Sequence, residues 1–239
     1  FNAVLLAARI RASLDRKRMH DREVLHLEEI ERQRQRGDEL LHAMLPMPAV
    51  EELKTHDRVA PRRFDDVAVL FVDVIGFTGY CDRNPPEVVV ANLHELAGTF
   101  EDLTAAYDLE KIKTVGDAFM ATANLLDHHA DPVMASLRTA FALADAAGST
   151  QAGWQVRSGI HIGPVVAGVV GSRKFSFDIW GDTVNLSQRL SSLGNEPAVY
   201  LSAPAWQRVE GRAEGSPLGA IDLKGKSNVE VVRCLSIAS

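Results

Sequence analysis

Six apolar residues run unbroken into one carboxylate at Val67-Ala68-Val69-Leu70-Phe71-Val72-Asp73. β-Branched and aromatic residues dominate the run, so it reads as a buried strand. A charge at the end of such a strand costs several kcal/mol if it stays unpaired in a dry site (roughly, by the cost of burying charge). Asp73 therefore needs a partner, and a metal ion is one candidate. Gly76 follows closely, then a hydroxyl at Thr78. A glycine beside a strand end lets backbone N–H groups approach an anion. A carboxylate next to exposed amides suits a Mg²⁺-phosphate ligand. From this stretch alone two readings stay open: a metal-phosphate site, or a strand that ends in an ordinary Asp turn.

A second stretch changes that balance. Glu110-Lys111-Ile112-Lys113-Thr114-Val115-Gly116-Asp117-Ala118-Phe119-Met120-Ala121 reads as strand, tight turn, strand, with Gly116-Asp117 near the turn. It supplies a second Asp beside a Gly at a strand end, and two such carboxylates suit a pair of Mg²⁺ ions in phosphoryl chemistry. With FVDVIGFT, EKIKTVGDAFMA and FDIWGDTVNLSQRL in this order and at these separations, the chain resembles the class III nucleotidyl cyclase catalytic domain from about Arg63 to Val232.

The resemblance implies the following roles. Two Mg²⁺ ions per site, with Mn²⁺ as the substitute, would be held by Asp73, Asp117 and the main-chain carbonyl of Val74. One ion would lower the pKa of the ribose 3′-OH, and the other would neutralise the leaving pyrophosphate. Amides of Ile75, Gly76, Phe77 and Thr78 would cradle phosphate. Lys113 and Asp178 match the pair that reads the base: a Lys donates to adenine N1 and a carboxylate accepts from N6. Guanylyl relatives tend to carry Glu and Cys there, so the expected substrate is ATP. Asn185 and Arg189, four residues apart on one helical face, match the groups that orient the ribose and stabilise the transition state. Of Lys224 and Lys226, the resemblance picks Lys224 as the phosphate-binding lysine. It also implies a homodimer with two active sites at a head-to-tail interface.

The first 45 residues differ from the rest. They contain no Pro, one Gly (Gly37), and nine Lys/Arg against eight Asp/Glu. Ile10, Leu14 and Val24 fit one heptad phase, and Leu27, Ile30, Leu41 and Met44 fit another, displaced by one residue. The expectation is a signalling helix that pairs imperfectly as a parallel coiled coil, against a solvated single helix. The opening FNAVLLAARIRASLDRKRMHDRE resembles the last helix of a response-regulator receiver domain. That, and a first residue that is Phe rather than Met, lead to the expectation of a longer protein with an upstream regulatory domain. The expected organisation is helix 1–45, linker 46–63 and catalytic domain 64–239.

The remaining pattern alternates strands and helices. A helix is expected from Asn84 to Tyr107, another from Asp131 to Ala147, two strands joined around Gly163-Pro164, and Asp182 as the N-cap of the helix bearing Asn185. The expected fold class is an α/β sandwich of ferredoxin-like type. A net charge of −6 argues against nucleic acid as partner. No apolar run approaches 18 residues, and two cysteines without metal spacing suit a reduced, cytoplasmic setting. Three functional readings result: an adenylyl cyclase, a guanylyl cyclase, or a catalytically silent nucleotide-binding module. The intact Asp73, Asp117, Asn185 and Arg189 argue against the last.

Overall fold

A computed structural model of the chain describes residues 3–171 and 174–238. It divides into two compact units, one up to Val59 and one from Ala60 onwards.

The first unit holds helix α1 (Ala3–His42) and helix α2 (Met47–His56). α1 runs unbroken for 40 residues, and i,i+3 ion pairs such as Arg36–Glu39 at 3.3 Å decorate it. Ile10, Leu14, Leu27 and Ile30 on it are all exposed. The receiver-like pattern begins at Phe1-Asn2, which lie outside the described residues. The stretch 46–63, expected as a linker, contains α2. Pro46 precedes it in extended geometry and a Pro occupies its first turn, where the missing N–H is harmless. Lys54 on α2 pairs with Asp38 on α1 at 2.7 Å.

The second unit is built on strands β1 (Arg62–Val74), β2 (Glu110–Val115), β3 (Ala118–Ala123), β4 (Val156–Val170), β5 (Ser176–Trp180), β6 (Ala198–Ser202), β7 (Ala213–Leu223) and β8 (Lys226–Ile237). Helices α3 (Phe77–Arg83), α4 (Pro86–Ala106), α5 (Pro132–Ser149), α6 (Asp182–Ser191) and α7 (Ala203–Val209) connect them. The sheet order is β2-β3-β1-β4-β6-β8-β7, with β5 paired to β4. β4 and β6 run parallel and the other pairs are antiparallel. This is a mixed α/β sheet with helices on it, in agreement with the expected fold class.

Period-2 alternation makes the two faces of β1 different. Ala68, Leu70, Val72 and Val74 join Leu96 and Phe100 of α4 and Leu137, Ala140 and Leu143 of α5 in the main core. Val67, Val69 and Phe71 point the other way, with Met120, Val165 and Ile179. Asp73 continues this second row at the strand's end. Over the other half of the second face lies α6, whose Leu186 and Leu190 pack with Tyr200, Leu223 and Val231. It sits so close that a Cβ on Gly159 would come within 2.2 Å of the Ser187 carbonyl. Only glycine permits that approach.

Three local expectations change. β4 is one strand, not two joined at Gly163-Pro164. Val67 pairs with Gly163 and Phe64 with Val165, so a bulge at Asp65-Asp66 faces Pro164. Asp66 takes φ +62. The bulge leaves no ladder bond for the missing proline N–H to break. Asp182 is the first residue of α6 and Gly181 is its N-cap; the Asp182 carboxylate is held by Lys226 instead. Helix α3 was not expected, because it is only seven residues long and none of them is buried.

Candidate active site

Asp73 stands at the end of β1, opposite Ala118 of β3 and opposite Arg157 of β4. The β2–β3 turn, with Gly116 at φ +62, places Asp117 beside Ala118. The two aspartates that the sequence singled out are thus brought together across adjacent strands. Burial, then the neighbouring Asp73 charge, push the Asp117 carboxyl above the usual range, while its own backbone amide and Arg157 pull it down. Two carboxylates forced this close suit a divalent cation, which removes both their repulsion and the cost of burying them. Among the described residues no three His, Cys, Asp or Glu form a ready metal cage. Two carboxylates completed by phosphate oxygens is a donor set that Mg²⁺ accepts.

Arg157 was missed by the sequence reading. Its Nη2 and Nε donate to Asp73 Oδ2 at 2.6 and 3.0 Å. Both side chains are largely shielded, at 17% and 19% exposure. Arg157 also donates to the carbonyl of Gly194. A lone Arg 84 residues away in sequence carries no local signal; only the β1–β4 register reveals it. It neutralises Asp73 and places a guanidinium beside the carboxylate pair.

The turn after Asp73 differs from expectation at one amide. Ile75 N–H donates to the Gln155 carbonyl at 2.8 Å, so it is not free for phosphate. The amides of Gly76, Phe77 and Thr78 follow it, with Gly76 at φ +72. The Val74 residue itself is buried.

Lys113 and Asp178 meet directly, Nζ to Oδ2 at 2.5 Å, although 65 residues separate them. β5 folds back on β4 and reaches over to β2. Lys113 pairs with Met120 after a bulge between Lys111 and Lys113, which turns it onto the second face. Asp178 Oδ1 also accepts from the Ile179 amide at 2.8 Å, which fixes the carboxylate plane. Asn185 and Arg189 lie one turn apart on α6. A Cβ on Gly225 would lie 3.6 Å from the Arg189 guanidinium, so the β7–β8 turn carrying Lys224 borders this helix. Among the described residues, Lys226 is paired with Asp182, whereas Lys224 and Arg189 stand in none of the ion pairs. The site therefore falls into a carboxylate pair under Arg157, a closed Lys113–Asp178 pair, and free polar groups along α6 and the last turn.

Residues 59–235 match the adenylate and guanylate cyclase catalytic domain. The chain belongs to that family. It is 34% identical over 205 residues to an adenylate cyclase of Mycobacterium tuberculosis, covering 82% of this chain and 46% of that protein. It is also 34% identical over 209 residues to guanylate cyclase 32E of Drosophila melanogaster, covering 82% of this chain and 18% of that protein. The chain thus spans less than half the length of these curated relatives. Among solved structures, the guanylate cyclase domain of RhGC from Catenaria anguillulae in complex with GTP superposes with a TM-score of 0.71 at 24% identity, over 74% of this chain and 99% of that one. At that identity the likeness shows the fold. Relatives of both specificities stand equally near, so the base preference has to be argued from the residues themselves.

Proposed function

We propose that the chain is an adenylyl cyclase that converts ATP to 3′,5′-cyclic AMP and pyrophosphate. The observation that carries the reading is the Lys113–Asp178 pair, held at 2.5 Å. A cationic donor beside a fixed carboxylate acceptor complements the acceptor N1 and donor N6 of adenine. Guanine presents the opposite polarity on that edge. Opening the pair onto a base exchanges one set of charge-assisted bonds for another, so selectivity comes from matching polarity.

Asp73, the Val74 carbonyl and Asp117 would hold the divalent metal, Mg²⁺ or Mn²⁺. When bound, such ions activate the ribose 3′-OH and neutralise the leaving pyrophosphate. Arg157, which donates to Asp73, would offer its guanidinium to the phosphates once a metal took over the neutralisation of that carboxylate. The amides of Gly76, Phe77 and Thr78 would donate to the same oxygens. Asn185 and Arg189 offer unpaired donors to the charge that develops on the α-phosphate, and Lys224 to the outer phosphates. Exposed Val115, Val166, Val170 and Trp180 lie on β2, β4 and β5 beside the site. Such a cluster suits a second copy of the chain. We assign Asp73 and Asp117 to one subunit of each site and Lys113, Asp178, Asn185, Arg189 and Lys224 to the other.

The decisive experiment is product analysis after incubating the purified chain with ATP or GTP and either metal. Cyclic AMP formed in clear excess over cyclic GMP is expected. Dominant cyclic GMP overturns the base assignment, and no product with either nucleotide points to a silent nucleotide-binding module.

Residues 1–45 act, in this reading, as a pairing helix that couples an upstream receiver-like domain through the segment 46–63 to the catalytic domain 64–239. Its exposed Ile10, Leu14, Leu27 and Ile30 form the seam. Removing residues 1–45 is expected to weaken dimerisation in sedimentation and to change the rate while the remaining domain stays folded. Unchanged sedimentation and rate would eliminate the coiled coil. Among the described residues no helix is long and apolar enough to cross a membrane.

A further inference from the structure

A recess in the catalytic unit has no part in the chemistry above. A cavity of about 640 Å³ opens between the end of α4, the start of β2 and the segment that leaves β3. Its size suits a small organic molecule. It lies at the far end of the β2–β3 hairpin from Asp117, and Glu110 on its wall is three residues before Lys113.

Three carboxylates, Asp108, Glu110 and Asp127, line it. None of them stands in any of the ion pairs among the described residues. Glu110 is half-buried, and desolvation followed by repulsion from Asp127 raises its carboxyl above the ordinary value. The wall also holds an unsatisfied group. Thr122 is 1% exposed, faces Glu110 across the β2–β3 ladder, and its Oγ1 has no hydrogen-bond partner. Buried hydroxyls are rarely left so, because each forfeits its bonds to water. Acidic walls and an orphaned acceptor together call for a ligand that brings positive charge and N–H donors.

A metal ion fits poorly. The carboxylates are spread along the wall and form no cage among the described residues. His129 Nδ1 is already occupied by the Asp131 amide at 3.0 Å. A flexible chain with ammonium groups at intervals fits better, since its charges reach separate carboxylates while its methylenes lie on buried Leu109 and Leu125.

We propose that this cavity binds an aliphatic diamine or polyamine, with one ammonium between Glu110 and Asp127 and an N–H donated to Thr122 Oγ1. Calorimetric titration of the purified chain with 1,4-diaminobutane and with spermidine tests this. Saturable binding is expected below about 1 mM, and it persists in Asp73→Ala, because the metal-binding carboxylates are not involved. Glu110→Gln combined with Asp127→Asn should weaken it at least about tenfold. Thr122→Val should weaken it about threefold without lowering the melting temperature, because valine fills the same space and removes an unpaired hydroxyl. No saturable heat, heat reproduced by MgCl₂ alone, loss of binding in Asp73→Ala, or equal affinity in the double variant would each overturn the proposal.

Discussion

The two faces of one sheet divide the work of this domain. On the first, α4 and α5 bury a continuous apolar layer in which Leu137 and Leu143 are fully enclosed. On the second, the same strands present apolar rows that stop short. There Asp73, Arg157 and Lys113 occupy positions that would otherwise extend the core, and Lys113 meets Asp178 of β5. A strand that alternates Leu70, Val72 and Val74 with Val69, Phe71 and Asp73 builds stability with one side and reactivity with the other. Charge is tolerated on the second face because each charge meets its opposite there, Asp73 with Arg157 and Lys113 with Asp178.

This contrast is sharpest in a paired substitution. Leu137→Ala should cost about 3 kcal/mol of unfolding free energy, from lost burial plus a cavity, while each folded molecule keeps its turnover. Asp73→Asn should cost about 1–3 kcal/mol, because it leaves the largely shielded Arg157 without its carboxylate, yet reduce turnover at least about a hundredfold. Denaturant titration and initial rates on the same samples read both. If Leu137→Ala damages the rate per folded molecule as severely as Asp73→Asn, the faces are not separate in function.

A smaller effect tests base reading on the second face. Lys113→Glu with Asp178→Cys inverts the hydrogen-bond polarity and should shift the ATP-to-GTP ratio of kcat/KM toward GTP by about tenfold or more. A double variant with the parent ratio would remove these residues from base recognition.

The smallest effect concerns acid. His161, on the second face of β4, contacts Ser202 Oγ at 2.6 Å, with Lys226 and Asp182 nearby. Burial, then the Lys226 charge, lower its pKa from 6.5 to about 4, against the opposing pull of Asp182. Between those values the unfolded chain takes up a proton that the folded domain refuses. Stability is therefore complete above 6.5, falls as pH drops toward 4, and levels off below. Unfolding free energies from urea titrations at about pH 7 and about pH 5 should differ by roughly 1–2 kcal/mol from this group, and His161→Gln should remove that part of the slope. An unchanged slope would show that His161 is not held neutral by the fold.

Much of the architecture is legible in sequence where local chemistry decides it. β1, the β2–β3 hairpin with Gly116-Asp117 at its turn, α4 after Asn84-Pro85, and α5 after Asp131 all follow from periodicity and turn residues. What sequence hides depends on register. β4 passes through Pro164 unbroken only because β1 bulges opposite it. Arg157 matters only because it lands across from Asp73. The Ile75 amide is taken by the carbonyl of Gln155, a residue 80 positions away that only the fold brings beside it. α2 carries little periodic signal in sequence, because Val50 and Ala49 are its only buried residues. The aspartate pair and the Lys113–Asp178 pair were both singled out in sequence, yet their closeness across strands is a product of the sheet.

Under the proposed function, each active site draws its metal-binding carboxylates from one subunit and its base-reading and transition-state groups from another. Complementation tests it most directly. Asp73→Ala alone should be inactive and Asn185→Ala alone strongly impaired, because every site in either homodimer lacks one essential group. Co-expressed, the two variants form heterodimers with one doubly damaged site and one intact site. Random pairing makes about half the dimers mixed, so activity should recover to roughly a quarter of the parent value. Verified heterodimers with no more activity than the better single variant would contradict the shared site.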